Sequence, residues 1–282
     1  MTEKLVFDLG ARRGEDTGHY LRRGCRVVAV EANPELLPQL RERFREAIGA
    51  GDVVVVGRAI GERDGRIKFA ITPGHDVFGT TDQRFVERFE KTTGKQADWV
   101  EIEATTLPRL FETYGVPYYM KVDLEGLDMV CIEALVGRAE VPEFVSVESA
   151  VTSPGASVEA LRRELSRLRA AGYARFQFVE QAYLGLTAGR VLSGEGPPLR
   201  YEYEEGASGP FGSDLPGRWR RGGPTFVIGV ILVVRYHLLG HEGRLTRSRG
   251  ARLLRRSLRL VGRMTKRRRF GALLWYDLHA GR

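Results

Sequence analysis

The chain has 282 residues, with 44 Lys+Arg against 36 Asp+Glu and a formal net charge of +8. That length allows one large α/β domain with an extension or two modest domains, and its two cysteines exclude a disulfide-stapled scaffold and fit a reducing compartment. The charge is uneven: residues 244–282 hold 13 basic residues and one acid, net +12, while the other 243 hold 31 bases and 35 acids, net −4, so the high pI does not mark the body of the chain as a binder of polyanions.

The N-terminus runs directly into the apolar run Leu5 to Phe7. It leaves no room for a signal peptide, which predicts a cytoplasmic protein. The run ends in Asp8, Gly10 and Gly14; Glu15 to Arg22 continues as a helix, and Val27 to Val30 is a second strand ending in Glu31. Glu31 lies 17 residues after Gly14, close to the ~20-residue offset of a nucleotide-binding βαβ unit. Glycines without a Cβ let the backbone turn tightly and approach a ligand, and an acid at the second strand end can accept bonds from ribose hydroxyls. A dinucleotide site needs G-x-G-x-x-G. Here the pattern is Asp8-x-Gly10-x-x-x-Gly14, and an acid before the first glycine disfavours a pyrophosphate. It suits a ligand with a cationic amino-acid end, such as S-adenosylmethionine.

Pro34 to Ala47 reads as a helix, with Pro38 a weak point where the regular part can begin. Asp52 to Val56 reads as a third strand, followed by Arg58-Ala-Ile-Gly61 where a doubly wound fold places adenine contacts. Asp64-Gly65 predicts a hairpin between Ala59-Ile60 and Arg66 to Ile71. Residues 73–98 are polar and irregular and suit a lid or substrate surface. Trp99 to Ala104 reads as a strand and Thr106 to Gly115 as a capped helix. Tyr118 to Val122 is a core strand ending in Asp123 and Glu125, then a helix over Leu127 to Leu135. Phe144 to Val147 is a strand ending in Glu148, Ser157 to Ala171 an amphipathic helix, and Arg175 to Val179 a further strand. Buried strands separated by helices give an open, mostly parallel sheet with helices on both faces.

From about residue 190 the composition changes. Residues 194–198 and 206–221 are rich in Gly, Pro and Ser and read as loop. Phe226 to Val234 is a nine-residue apolar run ending at Arg235, too short for the ~20 residues of a membrane span, and reads as a buried or interfacial segment. Residues 249–269 read as a basic helix with a leucine stripe. This divides the chain into a cofactor-binding domain, 1–190, and a loop-rich, basic C-terminal extension, 191–282.

Three segments, Asp8-Leu-Gly-Ala-Arg-Arg-Gly14, Val28-Ala-Val-Glu-Ala-Asn-Pro34 and Met120-Lys-Val-Asp-Leu-Glu-Gly126, together resemble the FkbM family of S-adenosylmethionine-dependent methyltransferases. That family usually reads D-x-G-A-N-x-G and K-I-D-x-E-G, so Arg12 replaces its Asn. The resemblance covers roughly residues 4 to 150 and extends weakly to Ser208-Gly-Pro-Phe-Gly212 and Trp275-Tyr-Asp-Leu-His279. It implies a Rossmann-like class I methyltransferase fold and O-methylation of a sugar or secondary-metabolite hydroxyl. The expected cofactor site is Asp8, Gly10, Ala11, Gly14, Thr17, Glu31, Ala32, Asn33 and Ala59.

Methyl transfer to a hydroxyl needs an aligned acceptor and a group to take its proton. Asp8, Glu31, Asp123 and Glu148 sit at strand ends, where open α/β sheets bind ligands. Asp123 and Glu125 are the catalytic candidates, against a helix-capping role for either. Lys121 alternates with Val122 and fits burial against an acid. His75 beside Asp76 reads as a loop histidine, and no metal is expected. The basic tail leaves open a solvated helix, contact with an anionic membrane through residues 249–269, or an anionic glycan; nucleic acid fits least, for want of a motif. The rivals are a dinucleotide-dependent oxidoreductase and a non-catalytic Rossmann-like protein with a membrane-surface tail.

Overall fold

A computed structural model of the chain describes residues 4–71, 80, 83, 86–87, 90–91, 94–124, 126–152, 155–239 and 276–282. In chain order the elements are β1 (Lys4–Leu9), α1 (Glu15–Arg22), β2 (Cys25–Val30), α2 (Leu37–Arg43), α3 (Arg45–Ala50), β3 (Val53–Val56), β4 (Ala59–Ile60), β5 (Gly65–Ile71) and β6 (Asp98–Thr105). There follow α4 (Leu107–Tyr114), β7 (Tyr119–Val122), α5 (Asp128–Leu135), β8 (Phe144–Glu148), α6 (Val158–Ala170), β9 (Arg175–Glu180), the short pair β10 (Val191–Leu192) and β11 (Leu199–Arg200), α7 (Gly222–Leu239) and β12 (Tyr276–Gly281).

Among the described residues seven strands form one sheet in the order β3-β2-β1-β7-β8-β12-β9. β1, β2, β3, β7 and β8 pair in parallel, and β12 is antiparallel to both its neighbours. This is the α/β, mostly parallel, Rossmann-like architecture. The alternation along each strand sorts the side chains by face. Phe7, Leu9, Met120, Val122, Val145 and Val147 face a core closed by α4, α5, α6 and α7. Val6, Tyr119 and Phe144 face the other way, under α1, α2 and Phe211. On that second face the register aligns Asp8, Lys121, Ser146, His279 and Gln177 in one buried polar row.

Two helices start where the sequence says they should. The Oγ1 of Thr106 accepts from the N–H of Arg109 at 3.2 Å, and the Oγ of Ser157 from that of Ala160 at 3.1 Å, each satisfying an otherwise unpaired donor of the first turn. The single helix expected over residues 34–47 is broken: α2 and α3 meet at Phe44, whose φ of −111° departs from helical values. The hairpin expected around Asp64-Gly65 is also corrected. β4 and β5 do not pair; β6 lies between them, parallel to β4 and antiparallel to β5. Eight-residue β6 offers both edges, and the N–H of Gly61 already bonds the carbonyl of Thr105.

Residues 191–221, read from composition as loop, lie across α1. The Arg23 guanidinium is fully buried, pairs with Asp214 at 2.7 Å and donates to the carbonyls of Leu192 and Pro197. The buried carboxylate of Glu195 accepts from Lys4 at 2.7 Å, from the hydroxyl of Tyr118 at 2.9 Å and from Ser213. Phe211 stacks on Tyr119 with ring centroids 4.5 Å apart. The apolar run 226–234 is part of α7. Both cysteines, Cys25 and Cys131, are buried. Among the described residues no helix is long and apolar enough to cross a membrane. His75, Asp76, most of the segment expected as a lid and the basic helix expected over 249–269 lie outside the described residues.

Candidate functional site

The turn after β1 is built by two glycines. Gly10 and Gly14 both have φ of +83°, and a Cβ on Gly10 would lie 2.0 Å from the carbonyl oxygen of Asp123. Only glycine allows that approach of β1 and β7 at their carboxyl ends. A Cβ on Gly14 would meet the Phe44 ring at 2.2 Å, so the break between α2 and α3 and the glycine are one packing unit. The N–H groups of Gly10 and Ala11 both donate to the carbonyl of Val30 at 2.9 Å, fastening the turn to β2. Arg12 is left-handed, with φ of +51°. Asn adopts that conformation more readily than Arg, which gives the family's usual Asn a physical reason. In this chain the N–H of Arg12 still donates to Glu31 at 2.7 Å, and Asn33 donates to the other carboxylate oxygen at 2.7 Å. Burial raises the pKa of Glu31, against the lowering by these two bonds.

Lys121 is the hub of the site. Its ammonium is buried and lies 3.1 Å from Asp16, 3.4 Å from Asp123 and 3.6 Å from Asp8. Burial disfavours its charge, but Asp16, Asp123 and Asp8 outweigh that and hold its pKa well above the usual lysine value. Asp8 is fully buried. Its Oδ2 accepts from the hydroxyl of Thr17 at 2.6 Å, and its Oδ1 has no hydrogen-bond partner among the described residues. Burial pushes the Asp8 pKa up to about 6 against the pull of Lys121. Asp16 serves two parts of the chain: it meets Lys121 on one side and accepts from the N–H groups of Ser208, at 2.8 Å, and Gly209, at 3.3 Å, on the other.

Beyond Asp123 the acids lack such a cation. The side chain of Asp123 is 28% exposed, half open to the rim of the sheet. Burial first, then the charges of Asp123 and Asp128, push Glu148 up to about 8. Asp128, in the first turn of α5, is pushed up to about 7 by burial and by Asp123, although it accepts from Leu124 and Gly126. Asp277 pairs in register with Glu148, and burial with the charges of Asp123 and Glu148 raises it well above the usual range; Gln181 donates to it. Glu164 is pushed up to about 8 by burial. Carboxyls that are neutral near pH 7 can both donate and accept a hydrogen bond.

Of the residues expected from sequence, Asp8, Gly10, Ala11, Gly14, Thr17, Glu31, Ala32 and Asn33 come together around the β1 and β2 ends. Asn33 is buried and its Oδ1 accepts from the N–H of Glu35, shaping the turn into α2. Ala59 is buried at the start of β4, three residues past β3. Asp123 lies beside Lys121; Glu125 is outside the described residues. Sequence reasoning did not single out Asp16, Asp128, Glu164 or Asp277. Asp16 and Asp128 carried a faint signal as acids in the first turns of helices that follow strand ends. Among the described residues no group of three or more His, Cys, Asp or Glu is arranged to hold a metal ion.

The model of the methyltransferase FkbM domain matches residues 8–174. No curated protein matches the chain. Among solved structures, the methyltransferase FkbM from Methylobacillus flagellatus KT is 17% identical with a TM-score of 0.42, over 63% of this chain and 40% of that one, so the match spans less than half of that protein. A precorrin-6y C5,15-methyltransferase from Geobacter metallireducens GS-15 is 13% identical with a TM-score of 0.34, over 64% of this chain and 69% of that one. A precorrin 8w decarboxylase from Methanobacterium thermoautotrophicum is 12% identical with a TM-score of 0.35, over 63% and 68%.

Proposed function

Because the chain belongs to the FkbM methyltransferase family, we propose that it moves a methyl group from S-adenosylmethionine to a hydroxyl oxygen of a small-molecule or glycan acceptor. The observation that carries the cofactor assignment is the buried Oδ1 of Asp8, without a hydrogen-bond partner among the described residues, beside a turn with no room for a Cβ at Gly10 or Gly14. A cationic amino-acid end satisfies that oxygen, while a pyrophosphate is repelled by it. Glu31 fits the same ligand: each of its oxygens accepts one backbone N–H and keeps a further lone pair for a ribose hydroxyl.

S-adenosylmethionine, when bound, supplies a methyl group already activated on a sulfonium, so the protein has to align an acceptor and move one proton. Asp123 accepts the hydrogen bond of the acceptor hydroxyl from its half-exposed place beside Lys121 and thereby sets the line of approach. Glu148, with a pKa of about 8, takes the acceptor's proton in the fraction of molecules where it is already ionised, and that carboxylate is a stronger base than an ordinary one. Lys121 keeps Asp8 and Asp123 in fixed positions on either side of it.

The test is a calorimetric titration of the full chain with S-adenosylmethionine, with NAD as the control. We expect binding of the former only, weakened at least ~tenfold in Asp8→Ala, as loss of a charged hydrogen bond implies. Binding of NAD in its place overturns the reading. A screen of hydroxylated acceptors then compares the wild type with Asp123→Asn.

A further inference from the structure

α7 packs one face on the domain and leaves the other bare. Thr225, Leu232 and Val233 are buried, and Gly229 fits so closely over Leu161 that a Cβ would lie 2.6 Å from it. On the opposite face Val227, Ile231, Val234 and Leu238 are 59%, 60%, 52% and 40% exposed. Their spacing of four, three and four residues makes one continuous apolar stripe along the helix. Large side chains gathered this way are unusual on a soluble surface and mark a contact.

The border of the stripe is cationic. Arg162 of α6 lies over the Phe226 ring at 5.8 Å, and the Arg169 side chain runs past Gly222 at the start of α7. Arg218, Arg220 and Arg221 precede the helix. The chain that leaves α7, residues 240–275, contains 12 Lys+Arg and one acid. An apolar strip inside a cationic border matches a surface with an apolar interior and an anionic face.

We propose that the α7 face docks on a membrane surface containing anionic lipids, with Val227, Ile231, Val234 and Leu238 entering the interface and Arg162 and Arg169 meeting headgroups. The helix lies in the plane of the surface and does not span it. Its C-terminal end is tied to the carboxyl edge of the sheet, where Arg235 donates to the hydroxyl of Tyr276 at 3.1 Å and Asp277 adjoins Glu148. The docked helix therefore ends beside the acid-lined rim. The docking surface stands whether or not the methyl-transfer reading does.

The experiment is co-sedimentation of the full chain with vesicles of phosphatidylcholine alone and of phosphatidylcholine mixed with phosphatidylglycerol, across a salt series. The expected result is binding to the mixed vesicles, weakened by salt. The variant Ile231→Asp/Val234→Asp should lower the bound fraction about tenfold with an unchanged melting temperature. Arg162→Ser/Arg169→Ser should weaken binding at low salt and flatten its dependence on salt. Absence of wild-type binding overturns the proposal. So does binding unaffected by the two Asp substitutions, which would assign it to residues 240–275. A melting temperature lowered by those substitutions would mean that the chain covers its own stripe. Concentration-dependent self-association abolished by them would make a second copy the occupant. Either result also overturns it.

Discussion

The two halves of the candidate site treat their acids differently. Around the ends of β1 and β2, every carboxylate has a donor: Asp8 has Thr17 and Lys121, Asp16 has Lys121 and the Ser208 and Gly209 N–H groups, and Glu31 has two backbone N–H groups. Burial also raises Asp8 and Glu31, but around β8 and β12, Asp128, Glu148 and Asp277 are raised by one another's charge as well as by burial, with no ion pair to a cation among the described residues. The first half is compensated except at Oδ1 of Asp8, which has no hydrogen-bond partner among the described residues. The second is left with neutral, adaptable carboxyls facing the rim, which is the arrangement expected where a varied substrate must be met.

Lys121 is what makes the halves different, so Lys121→Met should break the comparison most severely. It leaves Asp8 and Asp16 buried without a cation, and we expect a loss of roughly 3–5 kcal/mol in urea denaturation; a loss below ~1 kcal/mol would show that Lys121 is not the hub. Gly10→Ala tests the seam between the halves. Its φ of +83° is strained for Ala and its Cβ collides with the Asp123 carbonyl, so a cost of about 2–3 kcal/mol is expected, together with loss of cofactor binding by calorimetry. Retained binding would mean that β1 and β7 can part without cost.

The pH dependence sharpens the contrast. Glu148 and Glu164 rise from an ordinary 4.5 to about 8, so the folded chain binds these protons more tightly than the unfolded one. Their stabilisation is full below about pH 4.5 and lost as pH rises through about 8. Urea midpoints should fall across that window, and Glu148→Gln/Glu164→Gln should flatten the slope; an unaltered slope would sink the assignment. Methyl-transfer rate should move the opposite way, rising as Glu148 ionises. The smallest effect belongs to the outer rim. Arg43 and Glu204 form a 2.7 Å pair at the surface, and Arg43→Ala should cost under ~1 kcal/mol and leave binding unchanged.

The compensated half was legible in the sequence because its signals are local. Asp8, Gly10, Gly14 and Glu31 fall within one βαβ unit, and strand, turn and helix each carry their own pattern. The uncompensated half was legible only in part. Asp123 and Glu148 end apolar runs, but Asp277 reaches them across 129 residues by an antiparallel insertion that no periodicity encodes. Lys121 read as a buried partner of an acid, but not of three. The hairpin over residues 59–71 failed because Asp64-Gly65 specifies a turn and not the partner of each strand, and β6 outcompeted it. Residues 191–221 read as loop from their Gly, Pro and Ser, yet they hold Arg23 and Asp16; their anchors are single side chains far away in sequence, which leave no trace in composition.

The position of β12 has a consequence for how the chain folds. It fills the gap between β8 and β9, yet it is synthesised some 96 residues after β9 ends. Until then both strands are open edges, each able to recruit a foreign strand. That end of the sheet therefore closes late, through contacts of high sequence separation, which slows folding. A ribosome-bound chain lacking β12 carries the complete cofactor turn but an unsealed sheet, and that is the species chaperones would have to protect.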